Sequence, residues 1–261
     1  MAPDGARHPG TVGAAAMVYV ADLDRPTPDA ADAHHLGHVL RLRPGEPVVA
    51  GDGLGRWRLT RYRGTARRPA PDGEPLLEAD GPLTVVPRPT PPVTIGFVPV
   101  KGDKPEWVVQ KLTEAGVDRI AVLRSARAVV RWEGDRAARS IERLRRVARE
   151  AGAQSRSPWL PEVVGVLDLA GLAGVVAPAP LALAHPGGDP PSVAMPAMAV
   201  GPEGGWDDSE LTPGGFPVVG LGPGILRAET AAVASGLLLC AIRNGLVGEV
   251  RRPPSGPRGD P

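Results

Sequence analysis

The sequence has very little cysteine and few aromatic residues. Cys240 is the only cysteine among 261 residues, which excludes an intramolecular disulfide and favours a reducing compartment. The aromatic side chains are five Trp, two Tyr and two Phe, so a core must be built mainly from alanine, valine and leucine. Hydrophobic residues still make up 42% of the chain, which is enough for a globular core.

Long apolar runs and several familiar motifs are also missing. No run of about 18 apolar residues is present, which excludes a transmembrane helix, and the start of the chain lacks the pattern of a secretory signal. We therefore expect a cytoplasmic protein without a membrane partner. Neither GxGxxG nor GxxxxGK[ST] occurs, which argues against a dinucleotide-binding protein or a P-loop hydrolase. GxSxG is absent too, and Cys240 lies in an apolar run, as a buried structural thiol would.

A proline-dense segment from Gly81 to Pro92 separates two halves of different character. Before it, short apolar runs alternate with turn signals. GDGLGR, between two strand-like runs, predicts a hairpin in a small β-barrel or sandwich. After it, strand and helix patterns alternate, which predicts a parallel α/β sheet. The predicted domains are 1–84 and 93–261, joined by a linker at 85–92.

Two long helices are predicted in the second half. One covers Arg136–Ala153. The last begins near Ala228, and helical periodicity places Val233, Leu237 and Ala241 on its buried face.

The most informative segments are two loops, AVGPEGGWDDSEL and LGPGILRAET, each entered from a short apolar run. Ligands of open α/β sheets bind beyond the carboxyl ends of the strands, where glycine lets the backbone approach a ligand closely. Arg227 and Glu229 stand where the second loop meets a helix, which is more charge than a turn requires. The pair of loops predicts one wall of a small-molecule site made mainly of main chain.

Basic segments and a histidine cluster are weaker signals. RWRLTRYRGTARRP and RAARSIERLRRVAR are compatible with a polyanion partner. Arg139, Arg143 and Arg146 lie on one face of a predicted helix. This face either binds the phosphates of a nucleic acid or is simply exposed to solvent. His34 and His38 have i, i+4 spacing, but no third or fourth ligand is evident, so we expect no metal.

Five motifs follow one another from His34 to the final helix: HHLGHVLRLRPGEPVVAGDGLGRW, KGDKPEWVVQKLTEAGVDRI, REAGAQSRSPWLPEV, AVGPEGGWDDSEL and LGPGILRAETA. In this order they resemble the RsmE family of ribosomal RNA small-subunit methyltransferases, which modify N3 of a uridine. The resemblance implies a PUA-like β-barrel followed by a SPOUT-type parallel α/β domain with a deep trefoil knot. It also implies S-adenosylmethionine as cofactor, a homodimer, and small-subunit ribosomal RNA or the assembled subunit as partner.

The resemblance assigns residues to two binding surfaces. The main chain of the two loops would line the cofactor site, at Val200, Gly201, Pro202, Gly205, Leu221, Gly222, Ile225 and Leu226. Substrate RNA would meet side chains matching motif positions, at His35, Arg41, Lys101, Lys111, Gln154 and Arg156.

Catalysis at uridine N3 requires removal of a proton. Glu203 and Glu229 are candidate proton acceptors, and Arg227 could stabilise negative charge on the uracil oxygens. The alternatives are a loop carboxylate held by backbone amides for Glu203 and a helix-end charge for Glu229. The acceptor could also be a ribose 2′-hydroxyl, or the protein could bind RNA without catalysis.

Several positions depart from the family pattern. Ala115 replaces a usual leucine and Gly224 a frequent arginine. Ala126 and Ala128 flank Arg127 where a Glu-Arg-Ser triplet is common, so loss of a polar contact is expected there. The segment before Met17 matches poorly.

Overall fold

The computed structural model describes residues 8–64, 76–211 and 215–249, so the TARRP end of the first basic segment lies outside the described residues. The chain forms two compact units. The first consists of Met1–Arg88, Val109–Ile120 and Glu133–Val163, and the second of Pro89–Val108, Ala121–Trp132 and Val164–Pro261. The domain boundaries drawn from the sequence stay a prediction.

The N-terminal part of the chain is mainly strand. Its elements are β1 (Ala16–Tyr19), α1 (Ala30–His34), a π turn (His35–Val39), β2 (Pro47–Gly51), β3 (Arg56–Tyr62), β4 (Leu77–Ala79) and β5 (Thr84–Val85). They form a five-stranded sheet in the order β1-β2-β3-β4, with β5 also paired to β3. β1 and β2 run parallel, and the other pairs are antiparallel.

The predicted hairpin is confirmed between β2 and β3. Gly51 pairs with Trp57, and the connection between them begins at Asp52. The Asp52 carboxylate accepts hydrogen bonds from the backbone N–H groups of Leu54 and Arg56, at 2.7 and 3.0 Å. Such local side-chain bonds are the usual reason why aspartate initiates turns.

Part of the predicted linker is ordered within the first unit. Thr84 and Val85 pair with β3. Arg88 donates to the Asp118 carboxylate at 3.0 Å and lies over the Trp159 ring, 5.1 Å from its centroid.

The rest of the chain alternates strands and helices. Its elements are β6 (Thr94–Phe97), α2 (Lys104–Glu114), β7 (Arg119–Leu123), α3 (Gly134–Ser155), β8 (Glu162–Leu167), α4 (Leu169–Val176), β9 (Leu181–Asp189), β10 (Ala197–Val200), α5 (Asp208–Leu211), β11 (Val218–Val219) and α6 (Ala228–Arg243). The strands form a six-stranded sheet in the order β11-β9-β10-β6-β7-β8. β11, β9, β10 and β6 are parallel, which confirms the predicted α/β class.

The prediction for the buried face of α6 is wrong at Leu237, whereas Val233 and Ala241 are half-buried. Leu237 is 51% exposed, while Leu239 and Cys240 are buried. The buried face is made mostly of small residues: Ala228, Ala231, Ala232, Ser235 and Gly236. An alanine-rich helix has little contrast between its faces, and small residues let it approach neighbouring strands closely.

Among the described residues, no helix is both long enough and apolar enough to cross a bilayer.

Candidate active site

A pocket of about 910 Å³ lies in the second unit, at the carboxyl ends of the parallel strands β9, β10 and β11. This volume lies within the range of small-molecule sites. All eight residues predicted for the cofactor line it: Val200, Gly201, Pro202, Gly205, Leu221, Gly222, Ile225 and Leu226. The structure therefore brings the two glycine loops together around one cavity.

The first loop follows β10 and packs on its own tryptophan. A Cβ atom on Gly201 would lie 2.9 Å from the Trp206 ring, so this position leaves no room for a larger residue. Downstream, Glu210 accepts a hydrogen bond from the backbone N–H of Asp207 at 2.9 Å, closing the loop onto α5. The pKa of Asp207 is lowered, chiefly because its carboxylate accepts a hydrogen bond from the Ser209 hydroxyl.

The same loop is tied to the segment that departs from the family pattern. Arg127 donates to the Gly204 carbonyl at 3.3 Å and pairs with Asp207 at 3.2 Å. The backbone N–H of Ala126 donates to Glu210 at 3.1 Å, and the Ser125 hydroxyl donates to it at 3.0 Å. The contact expected to be lost with Ala126 and Ala128 is thus partly supplied by their neighbours.

An irregular part of strand β9 completes the pocket, and it was not predicted from the sequence. β9 continues through His185, Pro186 and two glycines to Asp189, and Leu183 to Pro186 line the cavity. β11 pairs with Leu183 and then with Asp189, so the intervening residues bulge outward. A Cβ on Gly188 would lie 2.6 Å from the backbone of Val219. The two glycines after His185 and Pro186 were the sequence feature that could have predicted this close approach of two strands.

The second glycine loop connects β11 to α6. Gly222 has φ +142°, which L side chains rarely adopt, and open space where a Cβ would stand. The side chain of Ile225 is 90% exposed. This part of the wall therefore offers chiefly backbone to a ligand.

Two of the three candidate catalytic residues lie at the pocket. Arg227 and Glu203 line it, and both are exposed. Arg227 caps α6 by its backbone, with no hydrogen bond from its side chain to the helix. A cation and a carboxylate are thus available at a cavity that is otherwise mostly apolar and main chain. His185, also exposed, adds a titratable group that the sequence reading did not select.

The third candidate, Glu229, is placed differently from the prediction. Its side chain is 10% exposed and pairs with Lys104 at 2.7 Å, and it is not among the residues lining the cavity. The hydrogen bond from Lys104 lowers the pKa of Glu229. An ionised carboxylate bound by an ammonium is a weaker proton acceptor than a free one, so the ion pair argues for a structural role, and the catalytic role of Glu229 stays a prediction. Lys104 was missed because it lies on a different helix.

Four predicted RNA-binding residues are exposed. They are His35, Arg41, Lys101 and Gln154. His35 begins the π turn, a feature often found at functional sites. Arg41 has φ +54°, a strained conformation for a residue other than glycine. Their contact with RNA stays a prediction.

The other two have partners within the protein. Lys111 pairs with Glu114 at 2.8 Å. Arg156 ends α3 in the left-handed conformation, donates to the Ala14 carbonyl, and has a second guanidinium nitrogen buried. Arg156 is half-buried, and one of its guanidinium nitrogens has no hydrogen-bond partner among the described residues, so its contact with RNA stays a prediction.

The basic strand β3 is also largely neutralised. Arg56, Arg58, Arg61 and Arg63 form ion pairs with Asp52, Asp24, Asp80 and Glu78. The expectation of a free polyanion surface on this strand does not fit these pairs.

His34 and His38 have a spacing at which two side chains on one helical face could bind a metal ion. The rings of His34 and His38 stack with their centroids 4.5 Å apart. In the part of the chain that the structure describes, no group of three His, Cys, Asp or Glu side chains is arranged to hold a metal ion.

Comparisons with known proteins agree with the two-part organisation. Residues 87–239 match the model of an RNA methyltransferase domain, and residues 28–68 that of an RNA methyltransferase PUA domain. The chain is 34% identical to a ribosomal RNA small subunit methyltransferase E of Mycobacterium bovis, over 79% of this chain and 82% of that protein. It is 33% identical to the protein of that name from Synechocystis, over 77% and 68%.

Solved structures of methyltransferases have the same fold as this chain. A crystal structure of a ribosomal RNA small subunit methyltransferase E from Neisseria gonorrhoeae, bound to S-adenosyl methionine, superposes with a TM-score of 0.70 at 26% identity. It covers 87% of this chain and 97% of that one. A methyltransferase from Legionella pneumophila has the same fold, with a TM-score of 0.72 at 23% identity.

Proposed function

Since the chain belongs to the ribosomal RNA small subunit methyltransferase E family, we propose that it methylates N3 of a uridine in small-subunit ribosomal RNA, with S-adenosylmethionine as methyl donor. The observation that carries the proposal is the pocket formed by the irregular part of β9 and by the two glycine loops that follow β10 and β11.

The lining of the pocket suits this cofactor. Leu183, Trp206 and Phe216 offer apolar surface for a flat purine, and the glycine loops offer backbone groups to its polar edge. When bound, the cofactor supplies an electrophilic methyl group on a sulfonium.

The chain's own residues then have to orient the base and manage its proton. We assign charge stabilisation on the uracil oxygens to Arg227, since an exposed guanidinium at the pocket can meet a substrate from solvent. We assign removal of the N3 proton, directly or through a water, to Glu203, because its exposed carboxylate lines the pocket. His35, Arg41, Lys101 and Gln154 are assigned to RNA contact.

The finer architecture follows from family membership. We propose that the first sheet closes into a PUA-like barrel over 1–84, that 85–92 links it to a catalytic domain over 93–261, and that this domain contains a deep trefoil knot. A homodimer in the cytoplasm completes the proposal. The exposed apolar residues Ile225, Leu237 and Leu246 support self-association, because large exposed apolar surface usually marks an interface.

The test uses purified small subunits from cells that lack the enzyme. Incubation with the protein and S-adenosylmethionine, followed by nucleoside analysis of digested RNA, should yield N3-methyluridine. A 2′-O-methylated nucleoside would identify a ribose acceptor instead. Absence of methyl transfer together with absence of S-adenosylmethionine binding in calorimetry would identify a non-catalytic RNA-binding protein.

A further inference from the structure

Helix α3 presents a row of arginines on the side opposite its core-facing residues. An α-helix turns by about 100° per residue, so spacings of three, four and three residues keep a set of side chains on one face. The buried residues of α3 are Ile141, Leu144, Ala148, Ala151 and Gly152. The exposed row consists of Arg136, Arg139, Arg143 and Arg146.

Several other arginines of the first unit have carboxylate partners. On the flank of the same helix, Arg145 pairs with Glu142, and Arg149 pairs with Asp29 and Asp32. The arginines of β3 are paired as well. Among the described residues, by contrast, no carboxylate forms an ion pair with Arg136, Arg139 or Arg146. Three guanidinium groups of the row are therefore available to an anionic partner.

The row has the length and chemistry of a backbone-binding surface. From Arg136 to Arg146 the helix rises about 15 Å at 1.5 Å per residue, enough to meet several phosphates of one strand. Gln154, already a candidate for RNA contact, continues the same face two turns further on. Glu150 also lies on this face and marks the end of its basic part.

We propose that the exposed face formed by Arg136, Arg139, Arg143 and Arg146 binds the phosphate backbone of the substrate RNA. The proposal rests on the proposed function, because it takes ribosomal RNA as the partner. It adds a surface in the first unit, on a helix that does not line the pocket. A guanidinium is suited to this because it stays charged and can bind phosphate oxygens in pairs.

The test measures binding of purified small-subunit ribosomal RNA as a function of salt. The variant R136Q/R139Q/R146Q removes three charges while keeping good helix formers at exposed positions. The logarithm of the binding constant falls linearly with the logarithm of the salt concentration, and each lost phosphate contact makes this slope shallower by roughly 0.7 to 0.9. The loss of three contacts should therefore reduce the magnitude of the slope by about 2 to 3. Affinity at physiological salt should drop roughly 100-fold.

Two control variants distinguish this effect from general changes in charge or folding. R136K/R139K/R146K restores the charges and should restore the slope. R61Q removes an exposed arginine that is paired with Asp80, and should leave the slope unchanged. S-adenosylmethionine affinity, measured by calorimetry, should be the same in all variants.

An unchanged slope in the triple glutamine variant would overturn the proposal. Loss of binding to assembled subunits without loss of binding to protein-free RNA would overturn it too, since it would identify an acidic protein surface as the partner. These readouts concern RNA binding alone. Failure of the proposed function would appear separately, as absence of N3-methyluridine with the wild-type protein.

Discussion

Replacing Lys104 by methionine tests whether Glu229 is structural or catalytic. The substitution removes the ammonium that donates to Glu229 at 2.7 Å and leaves a carboxylate, 10% exposed, without that donor. Removing one partner of a buried pair costs about 3–5 kcal/mol, and a hydrogen bond to a charged group contributes about 1.5–3 kcal/mol. Because Lys104 is itself 39% exposed, water screens the pair and the smaller of these two ranges applies. We therefore expect the free energy of unfolding to fall by about 2 kcal/mol.

Thermal unfolding provides the first assay. For a protein of this size, a loss of about 2 kcal/mol corresponds to a fall in Tm of roughly 4–8 °C. The double variant K104M/E229Q should be no less stable than K104M, because the second change removes the buried charge that the first left unpaired. A double variant whose losses simply add would contradict the pairing.

The pH dependence of the same loss has a definite sign. The pKa of Glu229 lies below its ordinary value of 4.5 in the folded protein, mainly because Lys104 donates a hydrogen bond to it. The pair therefore stabilises the fold above about pH 4.5, and this contribution disappears as the pH falls through the lowered pKa. The difference in stability between wild type and K104M should shrink in acid and be constant near neutrality.

Methyl transfer by E229Q decides the catalytic question. General acid–base groups contribute about 100-fold to 10,000-fold to a rate. If Glu229 serves only to pair with Lys104, the single-turnover rate of methylation by E229Q should stay within about threefold of the wild-type rate, measured below the Tm of the variant. A loss above 100-fold in variant protein that remains folded would refute the structural interpretation and restore Glu229 as a catalytic residue.

Two further changes test the pocket. Arg227→Ala should lower single-turnover methyl transfer by about 100-fold to 1,000-fold, which is the usual cost of losing a donor that stabilises developing charge. The Tm should not change, because the side chain is exposed. Full activity of this variant would contradict the role assigned to Arg227. Gly188→Ala puts a Cβ 2.6 Å from the Val219 backbone and should weaken S-adenosylmethionine binding at least tenfold in calorimetry. Gly174→Ala, in α4 with open space at the Cβ, is the matched control and should raise stability by about 0.5–1 kcal/mol without affecting binding.

Local chemistry made much of the fold predictable. The β2–β3 hairpin depends on Asp52 and the glycines beside it, all within one short segment. The strand before each glycine loop was recognisable because it is continuously apolar, as strands buried on both faces are. β10 was found where the AMAV run predicted it.

The errors arise where the deciding partner is distant in sequence. The ion pair of Glu229 was not predicted, because its partner Lys104 lies on another helix, far away in the sequence. The β9 bulge depends on the close approach of Gly188 to Val219, which no periodicity encodes. In α6 the apolar residues lie all around the helix, so periodicity alone selected the exposed Leu237 over the buried Leu239. Tertiary packing settled each of these.

The departures near Ala126 illustrate why a loop made of main chain tolerates substitution. Glu210 is satisfied there by a backbone N–H, which every residue except proline possesses, and by the hydroxyl of Ser125. The contact that does need a particular side chain is made by Arg127, which reaches the Gly204 carbonyl and Asp207. Alanine at positions 126 and 128 is therefore compatible with the contacts that Ser125, the Ala126 N–H and Arg127 make with the first glycine loop and the residues after it. Substituting Arg127 would remove the anchor that depends on side-chain identity.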